Sequence, residues 1–404
     1  MQDANFTQAQ IKAIRRADVI FVAADGYTLA PSRVRAYSFA KACRDRGLNA
    51  EVVSFHDHLG APGQGSSAYR MDDQTKLRLI ALGADILKLN PTAIFYMQKV
   101  SYHSLAVAIA ASANGNPIVL DYDDFDFNAN SLPMLSHFLP GVSQIGMTAE
   151  LIKHAHLCVC SSYGLMDMVR PFNPKCEFIP TGTDLSVFDV GLRDRVDRPA
   201  DDPVNMIWLG DLWDPQILKD VMVTVDAFAA LPASIRDLAR LTVVGFGDFW
   251  IDFQERIRSC YSHIPNIVMV ERMAPADVPA LMARSDIGLL PLADNNFSQC
   301  KSPTKMFEYM AMKVAVLGAP IGEVARIVKD GESGMLADDV SGYMRRMGAL
   351  ILDGDLRRSI TERAYAEVLA GYHLGPMGDK LVELLLHVRD CPREVGLDRL
   401  ITRT

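Results

Sequence analysis

Residues 300–310 read CKSPTKMFEYM. Ser302 followed by Pro303 predicts a helix start, because serine caps well and proline suits the first helical position, where its missing N–H has no partner anyway. Lys301 precedes that cap and Lys305 lies in the first turn. A lysine there opposes the helix dipole at a cost of about 0.3–1 kcal/mol. A bound phosphate or diphosphate reverses the sign, since the free amides of a first turn form an anion site. Glu308 stands one turn beyond Thr304 on the same face, placed to reach a hydroxylated group carried by that phosphate, such as a ribose or sugar. The competing reading leaves both lysines in water and pairs Glu308 with a neighbour.

The sequence around this stretch alternates short apolar runs with helical segments. Downstream of residue 203 the runs VNMIWL (204–209), LTVV (241–244), IVMV (267–270), IGLL (287–290) and AVL (315–317) each end at or next to a glycine, proline or charged residue. Upstream stand the runs VIFVA (19–23), AEVVSF (50–55), AIFYM (93–97), PIVLD (117–121) and LCVC (157–160), with helices expected at 35–46 and 104–113. Strands apolar throughout and separated by helices predict parallel sheets covered on both faces. Between the two series, GLRDRVDRPADDP (191–203) is charged, proline-bearing and aperiodic, and reads as a linker. The expected organisation is a first domain over 1–190, a linker over 191–203, a second domain over 204–371 and a helical tail over 372–404 that packs back on the first domain. In such α/β sheets ligands bind beyond the carboxyl ends of the strands, which singles out the residues following each run.

The 404 residues are too many for one ordinary core. Hydrophobic content of 49% and charged content of 22% are those of a globular protein. A net charge of −8 gives no electrostatic reason to bind nucleic acid. Seven scattered cysteines without metal-ligand spacing, and a polar N-terminus without an apolar export core, fit free thiols in a reducing cytoplasm. No run reaches the length of a membrane span; peripheral membrane contact stays open.

SPTKMFEYMAM (302–312), VLGA (316–319) and KDGESGMLA (329–337) together resemble the C-terminal domain of GT-B glycosyltransferases, specifically glycosyltransferase family 4 (group 1). FIPTGTDLSVF (178–188) is similar to the family's segment before the linker. The resemblance implies two Rossmann-like doubly wound parallel-sheet domains facing a cleft, and a retaining transfer of sugar from a nucleotide-diphosphate sugar, UDP being favoured, to an acceptor hydroxyl, without a metal or other cofactor. It makes the nucleotide sugar and an unidentified acceptor the partners, with the oligomeric state unspecified. A sugar-nucleotide epimerase and a non-catalytic partner protein use the same scaffold and remain alternatives.

Carried over residue by residue, the resemblance makes Glu308 the ribose ligand. The amides around Ser302, Pro303, Thr304 and Lys305, together with Lys219, become the diphosphate contacts, and Gly245, Arg272 and Met273 the base contacts. The family's first glutamate falls on Cys300, its arginine after the first strand of the second domain falls on Asp211, and its histidine near the reacting carbon falls on Asp123. Cys300 and Asp123 are therefore the expected catalytic positions. The run Asp121-Tyr-Asp-Asp124 also has the spacing of a hard-cation motif, but an acidic acceptor-side or structural role is preferred. In the N-terminal loop, Gly26 is expected to allow close approach of a sugar phosphate, Ser32 to cap the next helix, and Arg33 and Arg35 to meet an anionic acceptor.

Overall fold

The computed structural model describes residues 5–65, 71–125, 144–194 and 202–390, with backbone alone at 144–147. The described residues pack as two units. One comprises those within Met1–Thr181, Cys300–Ser302 and Leu374–Thr404, and the other Gly182–Gln299 and Pro303–His373.

In the first unit, β1 (Val19–Ala23), β2 (Ala50–Ser54), β3 (Ile94–Gln98), β4 (Ile118–Tyr122), β5 (Leu157–Cys160) and β6 (Cys176–Phe178) form one sheet in the order β2-β1-β3-β4-β5-β6. All its pairings are parallel. β1, β3, β4 and β5 are buried along their whole length, as their unbroken apolar character requires. The order reverses between β1 and β3, the crevice where ligands of such sheets lie.

In the second unit, β7 (Val204–Asp211), β8 (Ala239–Phe246), β9 (Ile267–Glu271), β10 (Ile287–Leu290), β11 (Ala315–Gly318) and β12 (Met335–Leu336) pair in parallel in the order β12-β11-β10-β7-β8-β9. This is the dinucleotide-fold order, with its reversal between β7 and β10. The short strands β6 and β12 carry too little apolar run to stand out in the sequence.

The helix Leu374–Arg389 belongs to the first unit. Its Met377, Leu381, Leu385 and Val388 fill an apolar cluster with Phe39, Ala40 and Cys43. Arg46 Nε donates to Asp379 at 2.6 Å, and Lys380 donates to the Phe178 carbonyl at 3.1 Å. Residues 391–404 of the expected tail lie outside the described residues. The passage between units also differs from the expected linker. It falls at Gly182, whose φ of 56° suits glycine, because Phe188 is buried in the core of the second unit. Gly191–Asp194 is a helical turn, and 195–201 of the expected linker lie outside the described residues.

Candidate active site

In the second unit, β7 ends at Asp211, at the topological switch point. Burial pushes its carboxyl up to about 6, Asp248 adds to this, and Arg272 opposes it. Gly247, at φ 103°, has no room for a side chain, since a Cβ would stand 2.2 Å from Asp211 Oδ1. Gly245 is closed by the Trp250 ring at 2.5 Å in the same way. The exposed Arg272 guanidinium lies 4.7 Å from the Phe246 ring centre, and Met273 is half-buried against the core. Lys219 is exposed on the helix Pro215–Ala229. The inward-facing member of that helix is its neighbour Asp220, which accepts from Gln216 Nε2 at 2.8 Å and from the Ala293 amide beyond β10 at 3.2 Å.

The stretch at 300–310 begins its helix one residue later than expected. The helix is Thr304–Ala311, with Pro303 at the cap position and no side-chain cap. Proline disfavours helical geometry in the residue before it, and Ser302 instead shares a 2.5 Å hydroxyl–hydroxyl hydrogen bond with Thr181. Glu308 is 2% exposed, a buried carboxylate whose Oε2 lies 3.9 Å from Lys305 Nζ. What seats this helix is Gly288 in β10: a Cβ there would come within 2.3 Å of the Tyr309 ring. Lys305 and Glu308 are thus fixed in place by a neighbour that packs on glycine.

Cys300 does not behave as a catalytic group. It is 6% exposed, and its thiol points to Met168 Sδ at 3.5 Å while its carbonyl accepts from Ser162 Oγ at 2.6 Å. Burial pushes the thiol up to about 11, so at neutral pH it keeps its proton and acts as a small apolar side chain.

In the first unit, Asp123 follows β4 and is 6% exposed. Burial pushes it up to about 7; Lys99 opposes the shift, while Asp124 and Asp121 reinforce it. Ser32 Oγ donates to Gln98 Oε1 at 2.9 Å, and Gln98 Nε2 donates to Asp123 at 3.2 Å. Two residues singled out separately in the sequence therefore meet through a third that it did not mark. Ser32 ends the helix Ala30–Ser32 and stands at the cap position of the π-helical turn Arg33–Ser38, but its side chain makes no capping hydrogen bond. Lys99, also unmarked, takes φ 60° and sets its ammonium 2.6 Å from Asp124 and 3.6 Å from Asp123. A left-handed lysine carries strain of order 1 kcal/mol. Its amide bond to the Asp121 carbonyl, 2.8 Å, holds it there.

The three carboxylates of the Asp121–Asp124 run divide between two cations, Asp123 and Asp124 sharing Lys99 and Asp121 taking Arg35. Asp121 is fully buried and forked by Arg35 at 2.6 and 2.9 Å. Arg35, expected to meet an anionic acceptor, has no exposed surface. It also donates to the carbonyls of Ile179 and Pro180 at 2.8 and 3.0 Å. Arg33 donates to the Tyr27 carbonyl at 3.4 Å and stays partly exposed. The amide of Gly26 donates to Gln64 at 2.9 Å, and a Cβ there would lie 2.0 Å from Asp57. Close approach of Asp57, rather than of a sugar phosphate, accounts for this glycine. Among the described residues no cluster of His, Cys, Asp and Glu has the makings of a metal site.

Residues 203–353 match the model of a family described as glycosyl transferases group 1. Against solved structures, the chain is similar to Anabaena Alr3699/HepE in complex with UDP-glucose, at TM-score 0.67 and 17% identity over 91% of this chain and 99% of that one. It is also similar to a glycosyltransferase from Rickettsia africae ESF-5 (TM-score 0.66, 14% identity, 93% and 100% covered). A third likeness is to sucrose-phosphate synthase of Thermosynechococcus elongatus (TM-score 0.64, 13% identity, 92% and 99% covered).

The fold is GT-B. The match runs over nearly the whole length of the chain. A curated relative is the putative teichuronic acid biosynthesis glycosyltransferase TuaH of Bacillus subtilis strain 168, 29% identical over 79 residues. That alignment spans 20% of this chain and 19% of TuaH. No helix among the described residues is long and apolar enough to cross a membrane.

Proposed function

We propose that this chain is a retaining glycosyltransferase of the family 4 type that moves a sugar from a nucleotide-diphosphate sugar to an acceptor hydroxyl. The observation that carries this reading is the group 1 match over 203–353. That segment contains Lys219, Gly245, Arg272, Met273, Ser302, Pro303, Thr304, Lys305 and Glu308. Within it the uncapped helix start, Lys305 and the buried Glu308 supply what a nucleoside diphosphate requires: amides and a cation for the phosphates, and a carboxylate for the ribose hydroxyls. UDP is the favoured nucleotide, in line with the UDP complexes of the Anabaena protein.

The reading needs no metal. As the sugar–phosphate bond breaks, charge develops on the leaving diphosphate, and Lys305, Lys219, Arg272 and the first-turn amides are the groups available to stabilise it. The acceptor hydroxyl attacks on the face the diphosphate leaves, which retains the anomeric configuration. On the acceptor side, Asp123 with its raised pKa and its hydrogen bond to Gln98 is the group suited to orient a hydroxyl. A cytoplasmic location, with peripheral membrane contact left open, belongs to the same reading.

Purified protein incubated with UDP-, GDP-, ADP- and dTDP-sugars, with and without Mn²⁺, tests it by chromatography of the released nucleotide. Release from one donor class, unchanged by Mn²⁺, is expected; no binding and no release with any donor refutes it. One observation favours a second reading. Asp211 stands where the resemblance expects an arginine, so nucleotide binding without turnover would make the chain a non-catalytic partner protein. Epimerised donor without acceptor would instead mark an epimerase.

A further inference from the structure

Among the described residues, the second unit carries an aromatic pair outside its core. Trp213 and Phe297 meet edge to face, their ring centres 5.7 Å apart at 75°. Trp213 is 39% exposed, whereas Trp208 and Trp250 are each 7% exposed. Neither Trp213 nor Phe297 belongs to the apolar clusters that make up the core of this unit. A large half-wet aromatic is the informative kind of exposure, since burying it would stabilise the fold.

Its place in the topology says more. Trp213 lies two residues beyond the end of β7, and Phe297 lies in the short helix Asn296–Cys300 that follows β10. β7 and β10 are paired neighbours at the reversal of strand order. The pair therefore spans the point where a sheet of this order receives its ligand. A flat aromatic wall at such a place is the chemistry that holds a sugar ring, whose apolar C–H face stacks on it.

We propose that Trp213, braced by Phe297, is the wall against which the transferred sugar of the donor stacks. The inference rests on the donor reading above and deepens it. It places sugar selection just beyond the end of β7. Cys300, buried against Met168, has no part in it. Trp213 is then a specificity-determining residue, and it acts on the sugar but not on the nucleotide.

The test uses the full chain and its tryptophan emission. UDP and a panel of UDP-glucose, UDP-galactose and UDP-N-acetylglucosamine are titrated into the wild type, Trp213→Phe and Trp213→Ala. Expected is a change in long-wavelength emission with one UDP-sugar that UDP alone does not produce. In Trp213→Ala, followed by calorimetry, affinity for that UDP-sugar falls about five- to tenfold while affinity for UDP is unchanged. Trp213→Phe keeps most of the wild-type affinity. A circular dichroism spectrum and melting temperature matching the wild type exclude misfolding of a partly exposed site. Equal losses for UDP and UDP-sugar, or no loss for either, overturn the proposal while leaving the donor reading intact. A wild type that binds no nucleotide overturns both.

Discussion

Arg35 offers the sharpest test of how the first unit is built. Its guanidinium and the Asp121 carboxylate are both fully buried, joined by two hydrogen bonds of 2.6 and 2.9 Å. Burial works against the charge on Arg35, but Asp121 together with Tyr96 and Asp123 outweighs it and the guanidinium stays ionised. Arg35→Met keeps the stem and removes the charge. Asp121 is then a buried carboxylate without its counter-ion, which costs about 3–5 kcal/mol. The Ile179 and Pro180 carbonyls lose their donor as well, at about 1–3 kcal/mol for a hydrogen bond to a charged group. These losses share one side chain and do not add fully, so about 4–6 kcal/mol is expected. That is a large part of the about 5–15 kcal/mol that holds a typical domain. Native-state hydrogen exchange, read at the amides of β4 and β6, measures it directly. Arg35→Met should lower protection there by that amount, and Arg35→Met/Asp121→Leu should recover at least half, because the stranded charge is gone. A loss below about 1 kcal/mol in the single variant would refute the reasoning, since a buried pair cannot be broken that cheaply.

Two further substitutions have expected outcomes. Asp123 titrates near 7 in the folded chain against an ordinary 3.8, so the native state holds a proton that the unfolded chain has released. Stability must therefore fall as pH rises from about 4 to about 7. Asp123→Asn should remove that slope, its advantage over the wild type growing between pH 4.5 and 7.5 in urea melts, and an unchanged slope would contradict the burial argument. Gly288→Ala puts a methyl into the Tyr309 ring. It should cost about 1–3 kcal/mol of stability and weaken nucleotide binding by shifting the helix that carries Glu308. Calorimetry that shows wild-type affinity in a destabilised Gly288→Ala protein would separate that helix from the site.

The alternation of apolar runs and helices made both parallel sheets legible, because a strand buried on both faces has a composition that few other elements share. β6 and β12 were not legible, being two or three residues long. The errors at the site have local causes. A helix was expected over 35–46, but Arg33–Ser38 is a π-helical turn. Such a turn changes which residues share a face, and with it Arg35 turned from a surface cation into the buried partner of Asp121. Ser302 looked like a cap because Pro303 looked like a first helical residue. Proline at φ −83° and ψ 71° is itself the cap position, and the serine hydroxyl goes to Thr181. Gln98 and Lys99 carried no signal, since a glutamine at a strand end and a lysine with positive φ belong to no pattern. Only the tertiary fold brings them to Asp123.

The central claim is that the second unit binds a nucleoside diphosphate through Lys305 and Glu308, and isothermal titration of the full chain with UDP and with Glu308→Gln tests it most directly. The account predicts saturable binding of UDP by the wild type. In Glu308→Gln that affinity should fall about 10- to 150-fold, the worth of one hydrogen bond to a charged carboxylate. Binding unchanged by the substitution, or no binding of UDP, GDP, ADP or dTDP by the wild type, would contradict it.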